Sequence, residues 1–180
     1  MRQKKSGLEM TKKAKKIAIM GTHGTGKTTL SYKLATHFKE KGKNIKIVQE
    51  VARSCPFPIN AGMTKEAALW IYHEHSRKEL EASEKHDVVI CDRSYLDSLL
   101  YAEYFNLEIG SYPIDLINQY DQIYFVRPDV PLISDGIRSS DLEFQKGMDV
   151  IFKRILKEVP NVELKSSEIF DKGDLWKQYC

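Results

Sequence analysis

Short apolar runs alternate along the chain with longer stretches whose apolar positions recur three or four residues apart. Ile17-Ala18-Ile19-Met20 is uninterrupted and too short for a helix, so it predicts a buried strand. Leu30, Leu34 and Phe38 then share one face of a helix over residues 27–41, which Gly42 ends. Ile45-Lys46-Ile47-Val48 predicts a second strand running out at Gln49-Glu50, and Pro56 and Pro58 impose an irregular stretch as far as Gly62. Thr64 is placed to cap a long helix reaching about Lys85, with Ala67, Ala68, Ile71 and His75 on one side. Residues 87–92 have the nearly continuous apolar centre of a strand covered on both faces. A helix over 94–105 carries Leu96, Leu99, Leu100 and Tyr104, a short helix starts at Pro113, and Ile123–Val126 is a fourth strand ended by Pro128 and Pro131. A polar segment, Ser134–Asp141, leads into a helix to about Glu158; Val162–Leu164 is a fifth strand and the remainder a short helix. Strands alternating with helices over the whole length predict an α/β fold with a parallel sheet, whose ligands gather at the carboxyl ends of the strands.

The sharpest local signal lies between the first strand and the first helix. Gly21-Thr22-His23-Gly24-Thr25-Gly26-Lys27-Thr28 fits G-x-x-x-x-G-K-[ST], and Thr29 follows it inside the helix. A polyphosphate needs many N–H donors at close range, so the backbone has to wrap it, and glycines permit the positive φ this takes. The new helix aims unpaired amides and the positive end of its dipole at the anion. Lys27 adds a mobile cation for the outer phosphates, and the Thr28 hydroxyl suits Mg²⁺. The expected ligand is therefore the polyphosphate of a nucleotide, with Mg²⁺, and residues 21–29 are the binding segment.

Three further charged groups follow strand ends. Asp92 closes the third strand, where a P-loop protein places the carboxylate that holds Mg²⁺, and Arg93 beside it offers a planar fork for an oxygen or phosphate. Glu50 ends the second strand, facing the γ-phosphate, where it would accept the proton of an attacking hydroxyl; Arg53 would position that acceptor. Asp135-Gly136-Ile137-Arg138 offers a hinge and a lid arginine, with Arg127 as a competing cation. The histidines suggest no zinc site: His73 and His75, two apart on a helix, do not share a face.

Composition narrows the setting. A chain of 180 residues suits one domain. The net charge of +3 is uneven, because Arg2, Lys4, Lys5, Lys12, Lys13, Lys15 and Lys16 face Glu9 alone in residues 1–16. This predicts a flexible basic tail over residues 1–14 and a folded domain over 15–180, with nucleic acid as a less favoured partner of the tail. Cys55, Cys91 and Cys180 are odd in number and lack metal-ligand spacing, no apolar run is long enough for a membrane span, and the N-terminus lacks the apolar stretch of a secretory signal. A reducing cytoplasm is the expected compartment; the oligomeric state is left open.

GTHGTGKTT, Glu50-Val51-Ala52-Arg53, WIYHEH, CDRS with YLD, and DGIRS before a helix occur in this order. Together they resemble the P-loop kinase-like family that includes the ribosylnicotinamide kinase domain of bacterial NAD-biosynthesis regulators, with thymidylate and deoxynucleoside kinases as relatives. The resemblance implies a three-layer fold with a five-stranded parallel sheet in the order 2-3-1-4-5. It also implies an acceptor beside strand two and the long helix, Glu50 as the acceptor-side carboxylate, and Arg138 in a lid. Asp92-Arg93-Ser94 resembles the D-R or E-R-S element of those kinases. Two departures stand out: Ser134 precedes Asp135 where the family has a second acid, and Cys55–Asn60 matches no substrate-specific pattern. The expected activity is Mg²⁺-assisted phosphoryl transfer from ATP to a nucleoside- or nucleotide-like small molecule, with Lys27, Glu50, Arg93 and Arg138 as the catalytic set. A polynucleotide 5′-hydroxyl kinase and a nucleotide-binding switch are the alternatives.

Overall fold

The computed structural model describes residues 13–110, 114–129, 141–170 and 174–180. Strands β1 (Lys15–Met20), β2 (Ile45–Val48), β3 (Val88–Asp92), β4 (Gln122–Arg127) and β5 (Val162–Lys165) form one parallel sheet in the order β2-β3-β1-β4-β5. Helices α1 (Lys27–Glu40), α2 (Lys65–Ser83), α3 (Tyr95–Tyr104), α4 (Leu142–Leu156) and α5 (Ser166–Phe170) connect or follow the strands.

The central strands are apolar without interruption because both faces are covered. Ala18, Met20, Val89, Cys91, Ile123 and Phe125 point into a core shared with Leu96 and Leu100 of α3 and Met148 and Phe152 of α4. The alternate residues, Ile17, Ile19, Val88, Ile90, Tyr124 and Val126, pack on Leu30, Leu34 and Phe38 of α1 and on Ile169 and Trp176. Strand periodicity thus sorts one chain into two cores and three layers. Truncating a fully enclosed ring such as Phe152 to alanine would cost about 3–5 kcal/mol.

Register then places the chemistry. Ile19 lies opposite Asp92, and Val48 opposite Cys91, so the carboxyl ends of β2, β3 and β1 finish side by side. Gly21 and Arg93 follow their strand ends directly, and Glu50 lies two residues beyond the end of β2.

Several local details differ from the periodicity reading. β1 begins at Lys15, two residues before its apolar run, and Lys16 is a core residue. Its ammonium lies 2.9 Å from the buried Glu79 carboxylate of α2 and over the Tyr120 ring, while the Tyr120 hydroxyl donates to Glu79 at 2.9 Å. A partner distant in sequence is what makes this lysine unlike those of the basic arm, of which residues 1–12 lie outside the described residues. Val51–Ser54 forms a 3-10 turn where irregular chain is expected. The helix expected from Pro113 is a 3-10 segment, Ile114–Gln119, with Pro113 itself outside the described residues. α2 starts as expected, the Thr64 hydroxyl accepting from the Ala67 amide at 3.2 Å.

Candidate functional site

The loop after β1 owes its shape to its glycines. Gly21, Gly24 and Gly26 have φ of 137°, 72° and 83°. A Cβ on Gly21 would lie 2.4 Å from the Val126 carbonyl oxygen, so no other residue fits there. Gly26 caps α1 without a side-chain hydrogen bond, which leaves the first helical amides for a ligand. Gly24, Thr25, Gly26, Lys27 and Thr28 line a small cavity together with Glu50, Asp92 and Arg93. The Lys27 ammonium donates to the Thr22 carbonyl and, at 3.3 Å, to the Thr25 hydroxyl. Burial, then the neighbouring Arg93, lower its pKa to about 7. A buried cation held this low is stabilised by whatever anion enters the cavity.

Asp92 ends β3 within reach of α1. Its carboxylate accepts the Thr28 hydroxyl at 2.6 Å. A hydroxyl and a carboxylate at the cavity edge are hard oxygen donors of the kind Mg²⁺ takes, and among the described residues this pair fits that ion. Asp92 does not cap α3. Ser94 does, in a capping box whose Asp97 carboxylate accepts the Ser94 amide and hydroxyl, both at 2.8 Å.

Arg93 joins the two halves of the site. Its φ of 75° is a left-handed conformation that costs a non-glycine residue about 1–3 kcal/mol. The side chain offsets that strain by donating to Glu50, to the Gly21 carbonyl at 3.3 Å and to Asp97 at 3.4 Å, with the guanidinium 5.1 Å from the Tyr101 ring centre. Arg53 donates to the other Glu50 oxygen at 3.3 Å. Burial alone would raise the Glu50 carboxyl, but Arg93, Lys27 and Arg53 together outweigh it and bring its pKa down to about 2. Burial pushes Asp97 the other way, above the usual carboxylate range, against the pull of Arg93.

Next to this cluster opens a cleft between the β2 end, α2 and α3. Val51, Ile59, Met63, Ile71 and Tyr101 make it apolar; Asn60, His75 and Ser98 add polar groups. Glu50 and Arg93 line both this cleft and the loop cavity. His75 is almost fully buried, and burial, then Arg93, hold its pKa near 3, so its ring is neutral.

Of the predicted residues, Gly24, Thr25, Gly26, Lys27, Thr28, Glu50, Asp92 and Arg93 line the loop cavity, while Gly21, Thr22 and Thr29 do not, and three others stand apart. The His23 ring does not line the loop cavity: it stacks on Phe144 at 5.0 Å and borders the cleft, while its carbonyl accepts from Gln145 at 2.9 Å. Arg127 is bound by Asp149 at 2.7 Å and Glu163 at 3.2 Å, so the competing cation is committed to structural pairs. Arg138, with Asp135 and Gly136, lies outside the described residues. Periodicity alone missed Asp97, Tyr101 and His75. Asp97 had a signal in Ser94-x-x-Asp97, a capping-box spacing, whereas His75 reads as one more position on the buried side of α2.

A family model described as an AAA domain matches residues 16–169. Among solved structures the chain is similar to deoxyadenosine kinase from M. mycoides with dCMP and a flexible dCDP bound. That likeness has a TM-score of 0.62 and 19% identity over 91% of this chain and 97% of that one. It is also similar to thymidylate kinase from Ehrlichia chaffeensis, at a TM-score of 0.60 and 23% identity over 85% and 86% of the two chains. At these identities the likeness is one of fold. The signal recognition particle 54 kDa protein of Archaeoglobus fulgidus is 30% identical over 95 residues, 48% of this chain, and the chain spans only 22% of that relative's length. No described helix is long and apolar enough to cross a membrane. With the loop, the sheet order and a family match over most of its length in agreement, the chain belongs to the AAA-domain family of P-loop proteins and carries the three-layer fold seen in nucleoside and nucleotide kinases.

Proposed function

We propose that this protein transfers the terminal phosphoryl group of ATP to a hydroxyl of a nucleoside- or nucleotide-like small molecule held in the cleft beside β2 and α2. The observation that carries the reading is the position of Glu50 and Arg93, which line both the loop cavity and the cleft. A donor phosphate in one and an acceptor hydroxyl in the other meet at these two side chains.

In this reading the loop amides and Lys27 hold the β- and γ-phosphates, and Thr28 and Asp92 hold Mg²⁺. The ion, when bound, draws charge from the phosphate oxygens as the bond to the leaving diphosphate breaks. Glu50 accepts the hydrogen bond of the attacking hydroxyl and takes its proton as the new oxygen–phosphorus bond forms. A carboxylate with a pKa of about 2 is by itself a weak base. The triphosphate offsets the Lys27 and Arg93 charges that hold it low, so Glu50 becomes more basic as the reactants assemble. Arg93 keeps Glu50 aimed and neutralises charge in flight; Arg138, outside the described residues, is the proposed second cation for the transferring group, a contribution of about 10³-fold or more in rate where such an arginine acts.

The test is phosphate transfer from Mg·ATP to nucleosides, ribosylnicotinamide and mononucleotides. Turnover of one class is expected. Tight Mg·ATP binding with no transfer to any of them would refute the kinase reading in favour of a nucleotide-dependent switch, and transfer to oligonucleotide ends that falls steeply with salt would move the acceptor to nucleic acid.

A further inference from the structure

The outer edge of the sheet carries charges that the mechanism above leaves unused. Among the described residues β2 pairs only with β3, so its other side is open. A groove runs there between Lys46–Glu50 and the second half of α2 with the turn after it. Lys46, Arg53, Arg77, Lys78 and Lys85 line it, against the acids Glu50 and Glu81. Beyond residue 16 acidic side chains outnumber basic ones, so composition does not account for this concentration. A lysine on an edge strand commonly does no more than discourage pairing with another chain. Lys46 instead shares a concave surface with four other bases, which that role does not require.

Part of that charge is balanced within the groove. Arg77 pairs with Glu74 and Glu81, Lys78 with Glu74 at 3.3 Å, and Arg53 with Glu50 at 3.3 Å. Lys46 and Lys85 are exposed and form no ion pair among the described residues. A surplus of positive charge therefore remains, one part on the strand wall and one on the helix wall. Lys46 stands four residues before Glu50, about 13 Å of extended chain. Among the lining residues only His86 carries a ring, so the groove meets charge and offers no stack of aromatic faces to bases.

Glu50 and Arg53 line this groove as well as the cleft. A substituent on an acceptor whose hydroxyl meets Glu50 can therefore pass Arg53 into the groove along the protein surface. Phosphate suits such a place, because lysines bind it as point charges and several of them share the charge of one chain of phosphates. We infer that the acceptor carries phosphate of its own, held in the groove by Lys46 and Lys85. This rests on phosphoryl transfer at Glu50, as proposed above, and narrows the acceptor from a bare nucleoside to a phosphate-bearing one. A small phosphorylated metabolite and the 5′ end of a nucleic acid share that chemistry.

Steady-state transfer from Mg·ATP to ribonucleosides, to their 3′-monophosphates and to 5′-hydroxyl tetranucleotides tests this, in the wild type and in the double variant Lys46→Gln, Lys85→Gln. A phosphate-bearing acceptor should reach a kcat/KM about tenfold above its nucleoside, through KM, and the double variant should remove that advantage. Neither lysine lines the cleft or the loop cavity, so transfer to the nucleoside and the Kd of Mg·ATP should stay within about twofold. Added salt should erode the phosphate advantage and spare the nucleoside. An advantage complete at the monophosphate identifies a small phosphorylated acceptor, and one that arises only with the tetranucleotide identifies a nucleic-acid end. The inference is overturned if the nucleoside serves as well as both phosphorylated forms, or if their advantage survives in the double variant. Mg·ATP binding without transfer to any of the three refutes the phosphoryl-transfer reading itself and takes this inference with it.

Discussion

Replacing Glu50 with glutamine tests the centre of the site by stability and activity at once. The carboxylate accepts from Arg93 on one oxygen and from Arg53 on the other. Glutamine keeps the shape but turns an amide nitrogen toward one guanidinium and removes the charge that compensates both. The fall of the Glu50 pKa from 4.5 to about 2 sets the scale. It corresponds to about 3 kcal/mol of folding stability. Glu50→Gln should therefore lower stability at pH 7 by about 3 kcal/mol, or Tm by about 6–12 °C in a chain of this size. The stabilisation is fully present above the unfolded value of 4.5, because there both states are ionised and the folded site favours the anion. It drains as the pH falls from 4.5 toward the folded value of about 2, so the gap between wild type and variant should narrow over that range in urea melts. A stability gap that stays constant down to pH 3, or no gap at pH 7, would refute the electrostatic account. In the same variant phosphoryl transfer should fall by about 10²–10⁴-fold. Mg·ATP affinity should hold or tighten, since a negative charge near the γ-phosphate is gone.

The other predictions address the loop and the ion. With the Lys27 pKa held near 7 by burial and Arg93, a bound triphosphate restores the ammonium, so ATP binding takes up a proton and weakens as the pH rises above 7. Calorimetry at pH 8 in two buffers of different ionisation heat should read this uptake in the wild type and none in Lys27→Met; no uptake in the wild type would count against it. Gly21→Ala puts a methyl 2.4 Å from the Val126 oxygen at a φ of 137°. It should cost about 2–4 kcal/mol by thermal unfolding, and an unchanged Tm would contradict the packing argument. Asp92→Asn should weaken Mg²⁺ binding by about 10–100-fold while magnesium-free ATP binding persists. Equal losses with and without magnesium would show that Asp92 acts on the loop and not on the ion.

The phosphate loop could be read from the chain because its whole determinant is contiguous: a strand, three glycines at fixed offsets, a lysine and a helix start. The strands and the long helices could be read because burial imposes a period that neighbouring residues display together. From the same periodicity came the α/β class, the two-faced central strands and the Thr64 cap. What the resemblance implied, the sheet order, the fold bears out.

Pairing between distant side chains carries no such local imprint, and the tertiary structure alone decided it. Arg93 finds Glu50 across 43 positions because β2 and β3 end side by side, and that contact, with those to Gly21 and Asp97, offsets the strain of its left-handed backbone. Lys16 belongs to the core, unlike the basic arm before it, because Glu79 and Tyr120 wait beneath β1. His75 enters the cleft, Arg127 is taken by Asp149, and Phe170 comes to rest on Gly26, each through a juxtaposition set by the order of the strands. Periodicity reports which side of an element is buried; which charge meets which depends on how the elements pack, and that is a property of the whole fold.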